Sequence, residues 1–187
     1  MAFFDVCQEK LYNFEINLKV NSVTGRLFLY QRIRRFTLYS FHETGKAECE
    51  FDDFLSRYDT AAHAENINSI AAVLREFAQR GVDRRRFRPK GEGPVDALLA
   101  GPDSLRLYVI PCSRNALVVG NGCFKNERRL QDAPECRNAW ELMVELDKEL
   151  RSRMQEKSIC WQVRSDGEVD YLDLTGDLHF ELGTPKF

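Results

Sequence analysis

Positively charged side chains beside two short β-like runs are the residues of this chain best suited to chemistry. Arg106 lies within the first run, Leu105 to Ile110, and the second run begins at Ala116. A turn cluster, Pro111 to Asn115, separates the runs, which is typical of an antiparallel hairpin. Three further cations follow the second run: Lys125, Arg128 and Arg129. The hairpin can therefore hold several cations near one face or edge of a sheet.

A second group of cations lies in the segment from Gly81 to Pro94, whose Gly and Pro content indicates a loop. The group has five members within seven residues: Arg84, Arg85, Arg86, Arg88 and Lys90. Such cations can contact a phosphate backbone, and Phe87 among them can stack on a base. The alternative is an ordinary solvated surface loop. Gln31 to Arg35, with three more arginines, is interpreted as a solvated connection.

Composition limits the classes of function. Lys and Arg total 27 against 29 for Asp and Glu, a net charge of −2, so any nucleic-acid footprint must be local. The six cysteines include no CxxC pair and the three histidines are isolated, which predicts reduced thiols and neither metal nor cofactor. Nothing approaches the roughly 18 apolar residues of a membrane helix. These features predict a cytoplasmic protein that does not bind membranes.

The hydrophobic periodicity predicts both helices and strands. Helices are expected over residues 1–12, 50–58, 61–80 and 132–157, and strands over 14–20, 26–30, 35–41, 159–163 and 169–174, besides the central hairpin. Val95 to Leu99 is a further short strand candidate. The two helices between residues 50 and 80 are expected to cover one face of a sheet together. Gly120 and Gly122 are expected to permit a bulge or turn in the second hairpin strand.

Three stretches in order resemble the RelE/ParE/HigB toxin superfamily. Phe51 to Leu55 resembles the start of the family's first helix, and Leu105 to Tyr108 resembles its arginine-bearing strand. Ala116 to Arg129 resembles the family's next strand and its cationic exit. The resemblance covers about residues 36–157 and implies an α+β fold. In that fold two N-terminal helices and one long C-terminal helix pack a small antiparallel sheet, with added hairpins.

The same resemblance implies three segments, residues 1–35 as an N-terminal extension, 36–157 as the core and 158–187 as a C-terminal β extension. It also implies a toxin of a type II toxin–antitoxin system, acting as a metal-independent, ribosome-dependent mRNA endoribonuclease with an antitoxin as partner. Arg106, Lys125 and Arg86 would act on the phosphate in catalysis. Six cations would contact RNA: Arg84, Arg85, Arg88, Lys90, Arg128 and Arg129.

Several alternatives stay open. The family's active RNases often use a tyrosine or histidine near the C-terminus, for which Tyr171 and His179 are distant candidates. A non-catalytic module on the same fold, binding a protein or a nucleic acid through the Arg84–Lys90 loop, is the main alternative. A ParE-like gyrase poison is a third.

Overall fold

The structure of the chain is a computed structural model. It describes residues 22–88, 95–98, 105–124 and 133–183. The helix and strand predicted within residues 1–20 lie outside these ranges. Four of the candidate site residues also lie outside them: Lys90, Lys125, Arg128 and Arg129.

Eight strands and three α-helices make up the described part of the chain. The strands are β1 (Ser22–Ile33), β2 (Phe36–Glu43), β3 (Asp96–Ala97), β4 (Leu105–Pro111), β5 (Ala116–Phe124), β6 (Ile159–Val163), β7 (Val169–Gly176) and β8 (His179–Gly183). The helices are α1 (Glu50–Tyr58), α2 (Ala64–Arg80) and α3 (Pro134–Gln155), with short 3₁₀ helices at Ala61–His63 and Arg84–Arg86. The three described helices and the β4–β5 and β6–β7 hairpins confirm the elements predicted from the hydrophobic periodicity.

Local chemistry sets the helix boundaries. The Cys49 thiol accepts a hydrogen bond from the amide of Asp52 at the start of α1, where acidic side chains suit the positive end of the helix dipole. Pro134 opens α3 at a position where its missing N–H costs nothing. Gly81 ends α2 with a φ of 86°, a conformation that side chains other than glycine rarely adopt.

Six strands form one mixed sheet in the order β3-β4-β5-β2-β1-β8. All neighbours pair antiparallel except β2 and β5, which run parallel in the middle of the sheet, with Thr37 opposite Ala116. Residues 36–41 of β2 are all buried because both faces of this strand are covered. The strands β6 and β7 form a separate two-stranded ribbon.

Two hydrophobic cores lie on opposite faces of the sheet. On one face α1 and α2 pack Phe54 and Phe77 against Leu107 of β4. On the other, α3 packs Met143 and Leu146 against a second set of strand residues. Side chains alternate between these faces along each strand, so the position of a residue in a strand determines which layer it joins.

The predicted arrangement of a small antiparallel sheet with two N-terminal helices and one C-terminal helix is wrong. In the described part of the chain β1 and β2 come before all three helices, and β2 is central in a six-stranded mixed sheet. The prediction failed because the sequence of a buried strand such as β2 does not indicate which other strand pairs with it. Its parallel pairing with β5 joins segments almost 80 residues apart in the chain.

The prediction of reduced cysteines is also wrong, since Cys123 and Cys136 form a disulfide across a sequence separation of 13. The bond links the end of β5 to the first turn of α3, and both cysteines are almost fully buried. Their spacing has no recognisable motif, and only the approach of α3 to β5 brings their Cα atoms to 5.0 Å. Cys49, Cys112 and Cys160 are free.

Because the disulfide restricts the unfolded chain, its removal is expected to destabilise the fold. Replacing Cys123 and Cys136 together by alanine should lower the free energy of unfolding by about 3 kcal/mol, as expected for a closed loop of this size. Urea denaturation measures the change. The control is Cys160→Ala, which removes an exposed free thiol and should leave the midpoint unchanged. Equal midpoints for the double variant and the wild type would contradict a structural role for the disulfide.

Candidate functional site

Three separate segments bring arginines to one end of the sheet. Because β2 and β5 run parallel, the turns that lead into them lie side by side, and the amide of Thr37 donates to the carbonyl of Asn115. The C-terminus of α2 lies against the same turns, since the amide of Val82 donates to the carbonyl of Arg114 at 2.7 Å. We call this region the basic end. Its five defining residues are Arg34, Arg35, Arg80, Arg84 and Arg114.

The five defining arginines are all exposed, and among the residues that the structure describes none of them forms an ion pair. Arg114 donates one long hydrogen bond, 3.4 Å, to the carbonyl of Arg80. Arg84 lies within electrostatic range of Asp96 but makes no salt bridge with it. The guanidinium groups of the basic end are therefore available to an external anion.

The neighbouring arginines of the predicted RNA-binding loop are already engaged. Arg85 binds Asp83 with its side chain at distances down to 2.7 Å, and Arg86 binds Glu76 of α2 at 2.5 Å. Arg88 is half-buried, and its amide donates to the carbonyl of Ala97. Of Arg84, Arg85 and Arg86, Arg84 is thus the one without a carboxylate partner in the described ranges.

The Asp83–Arg85 pair has a clear electrostatic consequence. Hydrogen bonds from the Arg85 side chain, and then from its amide, lower the pKa of the Asp83 carboxyl to about 2. The carboxylate is therefore ionised at any pH used for binding. It holds Arg85 in place without neutralising the other arginines of the basic end.

Two of the predicted catalytic residues, Arg106 and Arg86, lie on different elements of the fold. Arg106 lies opposite Cys123 in the β4–β5 pairing, on the face that Tyr108 and Ile110 turn toward α3. Arg86 is bound to α2, which covers the other face. Arg86 belongs to the 3₁₀ turn after α2 and Arg106 to β4, and Lys125 lies outside the described ranges.

The two candidate proton-transfer residues, Tyr171 and His179, belong to β7 and β8, whereas Arg106 belongs to β4. Tyr171 is a half-exposed residue of β7 with a φ of 53°, and its ring lies 5.9 Å from that of Trp161. His179 begins β8 beside Asp177.

The opposite end of the sheet is acidic. A cavity of about 620 Å³ lies between α1, α3 and the ends of β2, β5 and β8. Two cations, Lys46 and Arg57, face it, against six carboxylates: Glu43, Glu50, Asp53, Glu135, Glu141 and Glu145. Its negative potential repels polyanions, so the charges of the chain are segregated even though its net charge is only −2.

A buried polar network organises this acidic cavity. Asn121, in the irregular stretch of β5, donates from its amide nitrogen to Glu50 at 3.1 Å and to Asp53 at 2.6 Å. Its side-chain oxygen accepts from Arg57 and from the amide of Gly122. Gly122 is required here, because an added Cβ would lie 1.9 Å from the carbonyl oxygen of Arg106. The network fixes α1 to the sheet.

The acidic cavity does not have the features of a metal centre. Within the described ranges no group of three His, Cys, Asp or Glu side chains is placed to hold a metal ion. Nor does any described helix have the length and apolar character needed to span a membrane.

Sequence reasoning missed most of the basic end. Arg34 and Arg35 lie in the segment predicted as a solvated connection, and neither Arg80 nor Arg114 belongs to a predicted binding segment. Arg114 alone carried a usable signal, because it lies in the turn of the predicted hairpin. The other positions join it only through the parallel pairing of β2 and β5.

Comparison with known proteins adds no family assignment: no family model, curated protein or solved structure matches this chain.

The Asp83–Arg85 pair can be tested by titration. Since the pKa of Asp83 is about 2, well below its ordinary value of 3.8, the pair stabilises the folded state above about pH 4. That contribution is lost as the pH falls through 2. In Arg85→Gln the pKa should rise toward the ordinary value, as NMR of the side-chain carboxyl carbon would show. Arg75→Gln, an exposed substitution on α2, is the control, and an unchanged pKa in Arg85→Gln would contradict the assignment.

The network around Asn121 predicts a cost in stability. In Asn121→Ala the buried Glu50 loses a hydrogen-bond donor, which should lower the free energy of unfolding by about 1–3 kcal/mol. Asn138→Ala removes an exposed amide from the rim of the same cavity and should change it by much less. Equal losses in the two variants, measured by urea denaturation, would show that the network does not stabilise the fold.

Proposed function

We propose that the protein is a non-catalytic nucleic-acid-binding module that contacts the phosphate backbone through its basic end. The observation that carries the proposal is the convergence of five exposed arginines from three segments, without an ion pair in the described part of the chain. A solvated arginine on a single loop needs no partner. Five on neighbouring loops repel one another, and an anion bound between them relieves that repulsion.

Arginine suits phosphate better than other anion-binding side chains do. Its planar guanidinium donates two parallel hydrogen bonds to two oxygens of one phosphate, and it stays charged at every relevant pH. The backbone of a nucleic acid supplies such oxygens at regular intervals, with no need for contacts to particular bases. The proposed binding is therefore strong at low salt and largely independent of sequence.

Helix ends supply part of this charge pattern without any ligand. Arg80 lies in the last turn of α2, where a cation is favoured by the helix dipole, and the acids of α1 lie in its first turn. Arg34, Arg35 and Arg114, however, belong to strand-connecting turns, where no helix dipole accounts for them. Their presence beside Arg80 favours binding over the purely structural interpretation.

The segregation of charge also explains how an acidic chain could bind a polyanion. The acidic cavity lies at the far end of the sheet from the basic end, because β2 and β5 begin at one end and finish at the other. A nucleic acid approaching the molecule is repelled at one end and attracted at the other, which orients the encounter.

Endoribonuclease activity of the toxin type stays a prediction for this protein. Binding to an antitoxin, to the ribosome or to gyrase also stays a prediction. The pairing of Arg86 with Glu76 favours binding over catalysis, since a cation that acts on the phosphate has to be free to contact it. Growth arrest on induced expression tests the toxin hypothesis directly. Arrest that Arg106→Ala relieves would favour it over the module proposed here.

A cytoplasmic location belongs to the proposal, because that compartment contains RNA. A buried disulfide is more typical of oxidising compartments, yet the exclusion of Cys123 and Cys136 from solvent protects the bond from reductants. Thiol trapping in intact cells would show whether the bond persists there.

The salt dependence of RNA binding tests the function. If about five phosphates are neutralised, the logarithm of the association constant should fall with the logarithm of salt concentration with a slope of about −3.5 for a single strand. In Arg34→Gln with Arg35→Gln the slope should become shallower by about 1.4. Fluorescence anisotropy with a labelled RNA at several salt concentrations measures both values.

The control removes the same charge elsewhere. Arg26→Gln with Lys148→Gln neutralises two exposed cations outside the basic end and should leave the slope as in the wild type. If both double variants reduce the slope equally, binding depends on net charge alone and the basic end is not the site. If the wild type binds no RNA at low salt, the proposed function is wrong.

A further inference from the structure

The basic end contains a concave pocket as well as exposed arginines. The pocket, of about 330 Å³, lies where the C-terminus of α2 meets the β4–β5 turn. Its lining is mostly charged: Glu76, Arg80, Asp83, Arg84, Arg85 and Arg114, with Gly81 and Val82. Four guanidinium groups thus line one concave, half-open volume.

Some of the charged side chains of this pocket form ion pairs and others do not. Asp83 is bound by Arg85 and Glu76 by Arg86, so each carboxylate of the pocket is already neutralised by an arginine. Arg80, Arg84 and Arg114 remain without a carboxylate partner in the described part of the chain. The pocket therefore offers three guanidinium groups without a carboxylate partner, of which Arg114 donates one long hydrogen bond to the carbonyl of Arg80.

The backbone holds the walls of the pocket in place. The hydrogen bond from the Val82 amide to the Arg114 carbonyl ties the turn to the segment after α2. Gly81 allows the segment after α2 to lie close to the β4–β5 turn, because a Cβ at this position would lie 2.7 Å from Cγ of Arg114. A site with fixed walls loses little conformational entropy when a ligand binds.

Shape and charge together indicate which phosphate fits. A phosphodiester within a strand carries one negative charge and continues into the chain on both sides, which suits an open surface. A terminal phosphomonoester carries between −1.5 and −2 charges at neutral pH, three unesterified oxygens and a chain on one side only. A concave pocket with three available guanidinium groups offers donors to all three free oxygens of the terminal group and matches its higher charge better.

We propose that the pocket of Arg80, Arg84 and Arg114 binds the terminal phosphomonoester of a nucleic-acid strand. The inference rests on the proposed function, since the exposed arginines outside the pocket, Arg34 and Arg35, would bind the adjoining backbone. The bound terminal phosphate would thereby fix the position of the protein on the nucleic acid.

The test compares three RNA oligomers of one sequence: with a 5′-phosphate, with a 3′-phosphate, and with hydroxyl groups at both ends. Wild-type protein should bind one of the phosphorylated oligomers about tenfold more tightly than the hydroxyl oligomer, as expected for one added charge-assisted contact. The 5′ and 3′ forms show which end supplies the phosphate. Inorganic phosphate should compete away that preference while leaving the hydroxyl oligomer bound.

Two variants separate the pocket from the rest of the basic end. Arg80→Gln with Arg84→Gln should abolish the preference for a phosphorylated end and weaken binding of the hydroxyl oligomer only partly. Arg34→Gln with Arg35→Gln should weaken binding of all three oligomers by a similar factor and keep the preference. Circular dichroism confirms that each variant is folded.

The outcomes distinguish the inference from the function on which it rests. Equal affinity of the wild type for all three oligomers would overturn the terminal-phosphate site and leave backbone binding standing. A preference that survives in the Arg80, Arg84 double variant would also overturn it, because the recognition would lie elsewhere. Failure to bind any of the oligomers would overturn both.

Discussion

The parallel pairing of β2 with β5 is the constraint on which the rest of this structure depends. It places a strand with both faces buried at the centre of the sheet and forces the turns before the two strands to the same end. Once those turns lie together, α2 must end beside them, because its residues cover one face of the same strands. The convergence of Arg34, Arg80 and Arg114 is a result of topology and not of any local sequence motif.

The basic and acidic side chains lie at opposite ends of β2 and β5. The ends of β2 and β5 meet the starts of α1 and α3, and acidic side chains there are stabilised by the positive ends of the helix dipoles. The network of Asn121, Glu50 and Arg57 then fixes α1 to the sheet beside the acidic cavity. A net charge of −2 hides this polarity, since the two ends nearly cancel.

Local features of the fold were predictable, whereas its assembly was not. The three- and four-residue spacing of apolar side chains located α1, α2 and α3, and Gly81 correctly marked the end of α2. The strand β2 was found as a strand, but nothing in its sequence shows that β5 lies beside it. For the same reason the Cys123–Cys136 bond and the grouping of Arg80 with Arg114 could not be inferred. The resemblance implied a small antiparallel sheet, whereas the parallel pairing of β2 with β5 makes the six-stranded sheet mixed.

Hydrogen–deuterium exchange with and without a saturating single-stranded RNA tests most directly where the molecule binds. The account predicts slower exchange of backbone amides at the basic end, in peptides covering residues 33–37, 80–88 and 111–116. Exchange in residues 134–146, beside the acidic cavity, should be unchanged. Slower exchange confined to the acidic cavity, or no change anywhere at saturation, would contradict the claim that topology gathers these arginines into a nucleic-acid-binding site.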